Sequence, residues 1–229
     1  YLLSTGLEVH AGIKGDVDKL TLRELVNENP FMAQNTRVFN GYNTFEFFGG
    51  ISGTLTSKIG FGAGLSIANY NNLPLYLNDP ASSGQFIVAY DQGDVGVFNL
   101  NARLSYNNDE KLRISLTGDY WGYDTDEQEE AWHRPNYKLG AVAVYSLFDK
   151  LRFEVEAHTS GGIDAFDFQA NEQVELDAFF DLNLTSEYLI SNQFSVWARM
   201  NNILAKEYEM LYRYPVRGFQ FMIGASYRF

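Results

Sequence analysis

The 229-residue chain contains no cysteine, so a disulfide framework and a thiolate metal site are both excluded. Its net charge of -12 argues against a nucleic-acid partner, because neutralising phosphate needs a basic surface. The longest apolar runs stop well short of the roughly 18 residues that a transmembrane helix needs, which excludes a helical membrane protein.

Along most of the chain, apolar side chains occupy every second position, which is the period of a β-strand with two unlike faces. In chain order this alternation predicts strands over 3–13, 45–55, 59–67, 98–104, 112–116, 151–160, 172–188, 194–201 and 219–229. The segment 137–146 is ambiguous, because Val142 and Val144 fall on the face expected to be polar. The sequence therefore predicts about ten strands.

The predicted connections alternate between short and long. Short turns are expected at 57–58, 107–110, 148–150 and 189–192, and long polar connections at 16–36, 77–91, 124–134, 160–171 and 203–216. This alternation places all tight turns at one end and all long loops at the other. It predicts an all-β, antiparallel up-and-down transmembrane β-barrel.

A soluble β-sandwich would also show alternating strands, so the polar face decides between the two folds. That face carries many charged or titratable residues in mid-strand, which a water-filled lumen would accommodate. They are Glu8, His10, Lys14, Arg113, Asp119, Glu154, Glu156, Glu175, Asp177, Asp181 and Arg199. The barrel is therefore favoured.

Candidate ligand contacts fall into two groups. On the expected lumen face we single out Trp197, Arg199 and the paired carboxylates Glu175 and Asp177, which could contact a ligand, bind cations or pair with Arg152, Arg199 or Lys111. In the long loops, Trp132 and Tyr212 could stack on a sugar or a planar chelate.

The aromatic residues near the strand ends predict two interfacial girdles. These residues are Trp121, Tyr123, Trp132 and Tyr137 at the long-loop end, and Tyr106, Tyr145, Tyr188, Tyr227 and Phe229 at the short-turn end.

Histidine is scarce, and His10, His133 and His158 have no metal-site spacing, so hydrated lumen or loop positions are expected for all three. The catalytic alternative is a lipase-like site, because His158 and Ser160 face the same way on a strand and Asn171 could complete a triad. Such a site should face lipid, whereas the alternation turns His158 and Ser160 toward the lumen. We therefore expect no enzymatic activity and no cofactor.

The closing segment is the one stretch that carries a family motif. It contains Asn201, Asn202, Ile203, Lys206, Tyr208, Pro215, Arg217, Gly218 and a terminal Phe229. This pattern resembles the C-terminus of TonB-dependent outer-membrane receptors, although the order Arg-Gly departs from the more usual Gly-Arg. The resemblance implies that Phe229 and Tyr227 belong to an assembly signal, with lipid outside Phe219, Phe221 and Phe229 and water behind Gln220, Ser226 and Arg228.

The resemblance further implies that residues 1–229 form the C-terminal portion of an outer-membrane barrel of about 22 strands, with the plug domain and the N-terminal strands absent. The implied function is import of a scarce nutrient across the outer membrane of a Gram-negative bacterium. The implied partners are outer-membrane lipid, the plug, a TonB-type energy-coupling complex, the barrel assembly machinery and, as an open question, a surface lipoprotein. The alternative is a self-standing small barrel that acts as a pore, an adhesin or a structural protein.

Overall fold

The computed structural model describes residues 2–4, 6–34, 36–108 and 111–229. Within these ranges it has seventeen strands and one helix. In chain order they are β1 (Leu2–Ser4), β2 (Leu7–Asp18), α1 (Leu22–Glu28), β3 (Gly41–Thr56), β4 (Ile59–Asn71), β5 (Leu73–Asp79), β6 (Ser82–Asp91), β7 (Val95–Asn108), β8 (Leu112–Asp124), β9 (Tyr137–Leu147), β10 (Leu151–Gly161), β11 (Ile163–Asp167), β12 (Glu172–Leu176), β13 (Phe179–Leu189), β14 (Phe194–Asn201), β15 (Glu209–Leu211), β16 (Tyr214–Pro215) and β17 (Gln220–Tyr227).

One antiparallel sheet, here called the wall, contains β1 and the ten long strands in the order β1-β2-β3-β4-β7-β8-β9-β10-β13-β14-β17. Apart from the hairpins inserted between them, the long strands pair with their neighbours in sequence, so the predicted up-and-down antiparallel fold with about ten strands is confirmed. The prediction of one strand over 3–13 is wrong. Gly6 has a φ of 115°, and β1 turns back there to pair antiparallel with β2.

The strand register assigns each residue to one of two faces. On the outer face Ile13, Phe47, Ile67 and Phe98 lie side by side across β2, β3, β4 and β7. Phe221 continues a second apolar row through Met200 and Leu184. All four residues of the first row are exposed in the chain alone. This pattern is expected of a face that contacts hydrocarbon rather than a protein core.

The inner face is polar, and the ambiguous segment 137–146 belongs to the same alternation. Val142 lies opposite Glu156, and Val144 lies opposite Glu154, so both valines are on the inner face. In the closing strand, Gln220 pairs with Asn201 and Ser226 pairs with Ser195, again on the inner side. The predicted sides of Phe221, Gln220 and Ser226 are therefore confirmed.

Aromatic residues confirm only part of the predicted girdles. Tyr145, Tyr188 and Tyr227 are exposed on the outer face near the tight turns. Trp121 and Tyr123 instead lie on the inner face, opposite Asn99 and Val97. The prediction that these two residues belong to an outer aromatic girdle is wrong, because the alternation of faces continues to the end of β8 and places both side chains on the inner face.

The two ends of the sheet differ as predicted. Tight turns join β3 to β4, β9 to β10 and β13 to β14, while part of the predicted turn 107–110 lies outside the described residues. Long connections at the other end contain the helix α1 and the hairpins β5–β6, β11–β12 and β15–β16. Helix α1 begins with a capping box between Thr21 and Glu24 and buries Leu25.

The prediction of one strand over 172–188 is wrong. β12 ends at Leu176, where it pairs with Ile163 of β11, and β13 begins at Phe179, where it pairs with Ser160 of β10. The hairpin β11–β12 is therefore separated from the wall by two interruptions, one between β10 and β11 and one between β12 and β13. Gly162 lies in the first interruption and adopts a φ of 63°. The connection predicted over 77–91 likewise belongs to a separate hairpin, β5–β6, which begins at Leu73.

Most of the buried apolar side chains belong to the long connections rather than to the wall. They form three clusters: Leu25 with Tyr76 and Phe86, Leu75 with Ala131 and Trp132, and Ile163 with Ala165 and Leu176. We call the assembly of residues 19–40, 72–94, 125–136, 162–178 and 202–219 the loop cap. None of the helices in the described part of the chain is long and apolar enough to cross a membrane.

Candidate functional site

The inner face of β13, β14 and β17 forms a groove of about 410 Å³ that contains two predicted ligand contacts, Trp197 and Arg199. The Nε of Arg199 donates a hydrogen bond to Oγ1 of Thr185 at 3.0 Å. The indole of Trp197 lies across Gly224, where an added Cβ would come within 2.4 Å of the ring. The groove therefore combines an aromatic face, a guanidinium and the carboxylate of Glu187 on one stretch of wall.

A second inner-face cavity of about 460 Å³ lies between β2 and β8. Its polar lining includes His10, Lys14, Glu46, Asn101, Arg103 and Asp119. Nζ of Lys14 lies 3.2 Å from Oε2 of Glu46, which also accepts a hydrogen bond from Nδ2 of Asn43 at 2.8 Å. Charges of both signs alternate here, as expected of a wall that meets water or another polar surface.

The residues of the lipase-like alternative do not form a hydrolytic site. Nε2 of His158 lies 3.6 Å from Oδ2 of Asp181, whereas the hydroxyl of Ser160 donates to the carbonyl of Tyr137 at 2.9 Å. Asn171 occupies the turn of the β11–β12 hairpin, away from the wall. His158 and Ser160 lie on the inner face, because their neighbours Val155 and Ala157 pair with the outer residues Leu184 and Leu182.

Asp181 is buried on the inner face and receives a hydrogen bond at Oδ2 from the hydroxyl of Tyr208, at 3.1 Å. Burial, and then this bond to a carboxylate, raises the pKa of Tyr208 to about 12. The ring of Tyr208 stacks on Phe179 at a centroid distance of 4.2 Å. The connection 202–219 is thereby attached to the wall where β13 begins.

Two predicted wall residues lie elsewhere. Glu175 belongs to β12, opposite Asp164, and Asp177 lies in the break before β13. Both are exposed. The prediction that they line the lumen in mid-strand is wrong, because the wall strand starts only at Phe179. A ligand contact by Glu175 or Asp177 stays a prediction, now placed in the loop cap. Arg152, predicted as a possible partner of these carboxylates, instead pairs with Glu154 of its own strand, at 2.7 Å.

Trp132 and Tyr212 differ in their access to a ligand. Trp132 is only 3% exposed and packs edge-on against Phe166, so its predicted stacking surface is covered by protein. The half-buried Tyr212 lies between β15 and β16, beside a cavity of about 150 Å³ formed by three hairpin tips. Its hydroxyl donates to Oδ2 of Asp167 at 2.9 Å. The backbone N–H of Gln169 and this hydroxyl hold the pKa of the Asp167 carboxyl below its usual value.

The prediction that His133 is hydrated is wrong, because this side chain is 8% exposed. Its Nδ1 donates to the carbonyl of Tyr76 at 2.6 Å, and its Nε2 accepts from the backbone N–H of Tyr212 at 3.3 Å. Its own backbone N–H donates to the carbonyl of Asp164 at 2.8 Å. Burial lowers the pKa of His133 to about 4. One residue thus joins three hairpins to the connection 125–136.

A second anchor, Asp91, lies at the end of β6 with no exposed surface. Oδ2 of Asp91 accepts from the backbone N–H groups of Asp126, Glu127 and Gln128, each at 3.1 Å, and Oδ1 accepts from Gly93 at 3.1 Å. The acidic run 124–130 belongs to the long polar connection predicted over 124–134. These bonds fasten its backbone to the end of β6. The ring partners of His133 and three of the four donors to Asp91 lie 35 to 79 residues away along the chain, so no local sequence pattern indicates either anchor.

Among the described residues, no group of three or more histidine and carboxylate side chains is placed to hold a metal ion. No protein-family model matches the chain, and no curated protein is significantly similar to it in sequence. Solved structures, in contrast, share its fold.

The chain is similar to the pyoverdine outer membrane receptor FpvA from Pseudomonas aeruginosa PAO1, with a TM-score of 0.72 and 13% identity over 100% of this chain and 35% of that one. It is similar to the ferric-catecholate import receptor Fiu from K12 E. coli, with a TM-score of 0.72 and 13% identity over 100% of this chain and 34% of that one. The copper transporter OprC gives a TM-score of 0.69 and 12% identity over 97% of this chain and 37% of that one.

The chain therefore spans about a third of the length of these proteins. The identities are low, so the likeness concerns the fold. At that level the predicted resemblance is confirmed: the chain has the architecture of part of the barrel of a TonB-dependent outer-membrane receptor.

Proposed function

We propose that this chain is the C-terminal part of the barrel of an outer-membrane receptor that actively imports a scarce nutrient. The observation that carries the proposal is the two-sided wall with its ten long strands, whose long connections pack together at one end. An apolar outer face suits lipid, and a polar inner face suits an aqueous passage. The likeness to receptor barrels over 97–100% of this chain supports the same function.

A larger barrel is part of this proposal. Among the described strands, β1 and β17 each pair on one side only, so the wall is an open sheet. An open edge inside a membrane leaves backbone N–H and C=O groups without partners, which costs several kcal/mol per group. We expect further strands of the same protein to cover both edges, and a plug domain to contact the polar inner face.

The proposed ligand contacts lie in two places. Trp197 and Arg199 contribute to the inner-face groove and hence to the passage, whereas Tyr212, Glu175 and Asp177 belong to the loop cap. FpvA binds pyoverdine, Fiu imports ferric catecholate and OprC transports copper, according to their names. An iron chelate or a metal ion is therefore the first class of nutrient to test here.

The partners follow from the same proposal. A TonB-type complex would supply energy by acting on the plug, and a surface lipoprotein could dock on the loop cap. Phe229 and Tyr227, both exposed beyond or at the end of β17, would be read by the barrel assembly machinery. Removing Phe229 should then lower the amount of receptor inserted in the outer membrane without changing the fold of the inserted fraction.

Uptake by whole cells tests the proposal. Cells that depend on the full-length protein are supplied with radiolabelled ferric pyoverdine, ferric catecholate or copper, with and without an ionophore that collapses the proton gradient. We expect uptake of one of these probes, lost with the ionophore and reduced by Arg199→Ala. Uptake that persists without the gradient would show a passive pore instead, and uptake of none would refute this nutrient class.

A further inference from the structure

The loop cap contains one buried imidazole whose two nitrogens are both committed. The carbonyl of Tyr76 can only accept a hydrogen bond, so Nδ1 of His133 must carry the proton. The backbone N–H of Tyr212 can only donate, so Nε2 must offer its lone pair. These two partners therefore require one neutral tautomer of the ring.

A second proton would break this arrangement. It would be placed on Nε2 and would face the N–H of Tyr212, whose nitrogen is 3.3 Å away. The resulting positive charge would lie in a site that is 8% exposed, with the ring of Phe86 edge-on at 5.1 Å. Protonation therefore requires the hairpin β15–β16 to move away or the imidazole to leave the site.

The charged groups around His133 do not remove this conflict. Helix α1 contributes Glu28, which accepts from the hydroxyl of Tyr76 and lies 3.8 Å from Arg134. The β11–β12 hairpin contributes Asp164 through its carbonyl and Asp167, which pairs with Arg213 of the connection 202–219 at 3.0 Å. Within the described ranges, the ring nitrogens bond only to main-chain groups. None of the carboxylates that the structure describes is bonded to the imidazole to stabilise its charged form.

We propose that His133 is a pH-operated latch: its neutral ring holds the hairpins β5–β6, β11–β12 and β15–β16 on the connection 125–136, and its protonation releases them. The backbone of His133 supports this role, because a φ of 58° holds a non-glycine residue in the left-handed region only while its contacts persist. Both legs of the hairpins β5–β6 and β11–β12 are interrupted where they leave the wall, so these hairpins can tilt without unpairing wall strands.

The regulatory consequence rests on the proposed function. If the loop cap captures a ligand, acid should open the cap and release that ligand. The latch itself does not depend on transport, so its test is structural. The lowered pKa of His133, about 4 against an ordinary 6.5, predicts that the opening equilibrium shifts by about 160-fold between neutral pH and pH 4, and by about 300-fold at lower pH.

The test measures the distance between two hairpin tips in the full-length protein in detergent micelles. The 229 residues contribute no cysteine, so spin labels at Ala81→Cys and Ala170→Cys report the separation of the β5–β6 and β11–β12 turns. Pulsed electron resonance should give a narrow distance distribution at pH 7.5 and a broad one at pH 4.5, reversibly, with the midpoint between pH 6.5 and pH 4.

Two variants assign the change to the latch. His133→Gln should abolish the pH dependence, since glutamine does not titrate. His158→Gln is the matched control and should leave it intact, because His158 lies on the inner face with 46% of its side chain exposed. An unchanged distribution in the native protein down to pH 4 would overturn the proposal even if the variants fail to fold. A pH-dependent change in the distance distribution that persists in His133→Gln would also overturn the proposal, because it would assign the opening to protonation of carboxylates.

Discussion

Replacing Asp91 by asparagine tests how the acidic connection 125–136 is held. The carboxylate accepts four backbone N–H groups, and hydrogen bonds to a charged group each contribute about 1.5–3 kcal/mol. An asparagine can direct its oxygen to three of the donors, but its NH2 group then faces the fourth. The loss of one hydrogen bond and the weakening of three should lower the free energy of local opening of the connection 125–136 by about 3 kcal/mol. This corresponds to a roughly 150-fold increase in its opening equilibrium constant.

Amide hydrogen exchange measures this cost at the affected groups. We expect the amides of Asp126, Glu127 and Gln128 to exchange about 150-fold faster in Asp91→Asn, while amides in mid-wall keep their rates. The matched control is Asp94→Asn. Asp94 is exposed and accepts one side-chain hydrogen bond from Asn71, so its replacement should change exchange by about twofold or less. Equal effects of the two variants would refute the anchoring role of Asp91.

Three further predictions concern the wall and the loop cap. Leu100→Arg should cost about 2–4 kcal/mol and lower membrane insertion, whereas Asn101→Arg on the opposite face should insert normally; insertion is read by heat-modifiable gel mobility. Gly224→Ala should displace the indole of Trp197 from the wall, which a shift in its fluorescence emission would report. Because the pKa of His133 is lower in the folded cap than in the open state, its stabilisation is complete above about pH 6.5. It falls by about 3 kcal/mol as the pH drops to 4, measurable by proteolysis of the cap.

The sides of the wall could be predicted because alternation is a local property. Phe221 and Gln220 point to opposite faces of any extended strand, whatever that strand pairs with. The same rule applies to Val142 and Val144, whose inner position looked anomalous only because valine is apolar. For Trp121 the parity was available, and the expectation of an interfacial girdle wrongly overrode it.

The break between β12 and β13 could not be predicted, since the alternation continues through it. Leu176 and Phe180 keep the same parity, although Leu176 pairs within an external hairpin and Phe180 pairs with Thr159 of the wall. Periodicity records the side to which a residue points but not the partner that it meets. Periodicity therefore predicts a lumen position for Glu175, although Glu175 lies in β12 and the wall strand β13 begins only at Phe179.

Sequence alone determined that the chain is a series of long two-faced strands with tight turns at one end and long connections at the other. Each of those features depends on residues close together in the chain. Only the tertiary structure decided that the long connections pack into three buried apolar clusters, and that His133 and Asp91 fasten them. The hydrogen-bond partners of the His133 ring lie 57 and 79 residues away, and contacts at that separation leave no local sequence pattern.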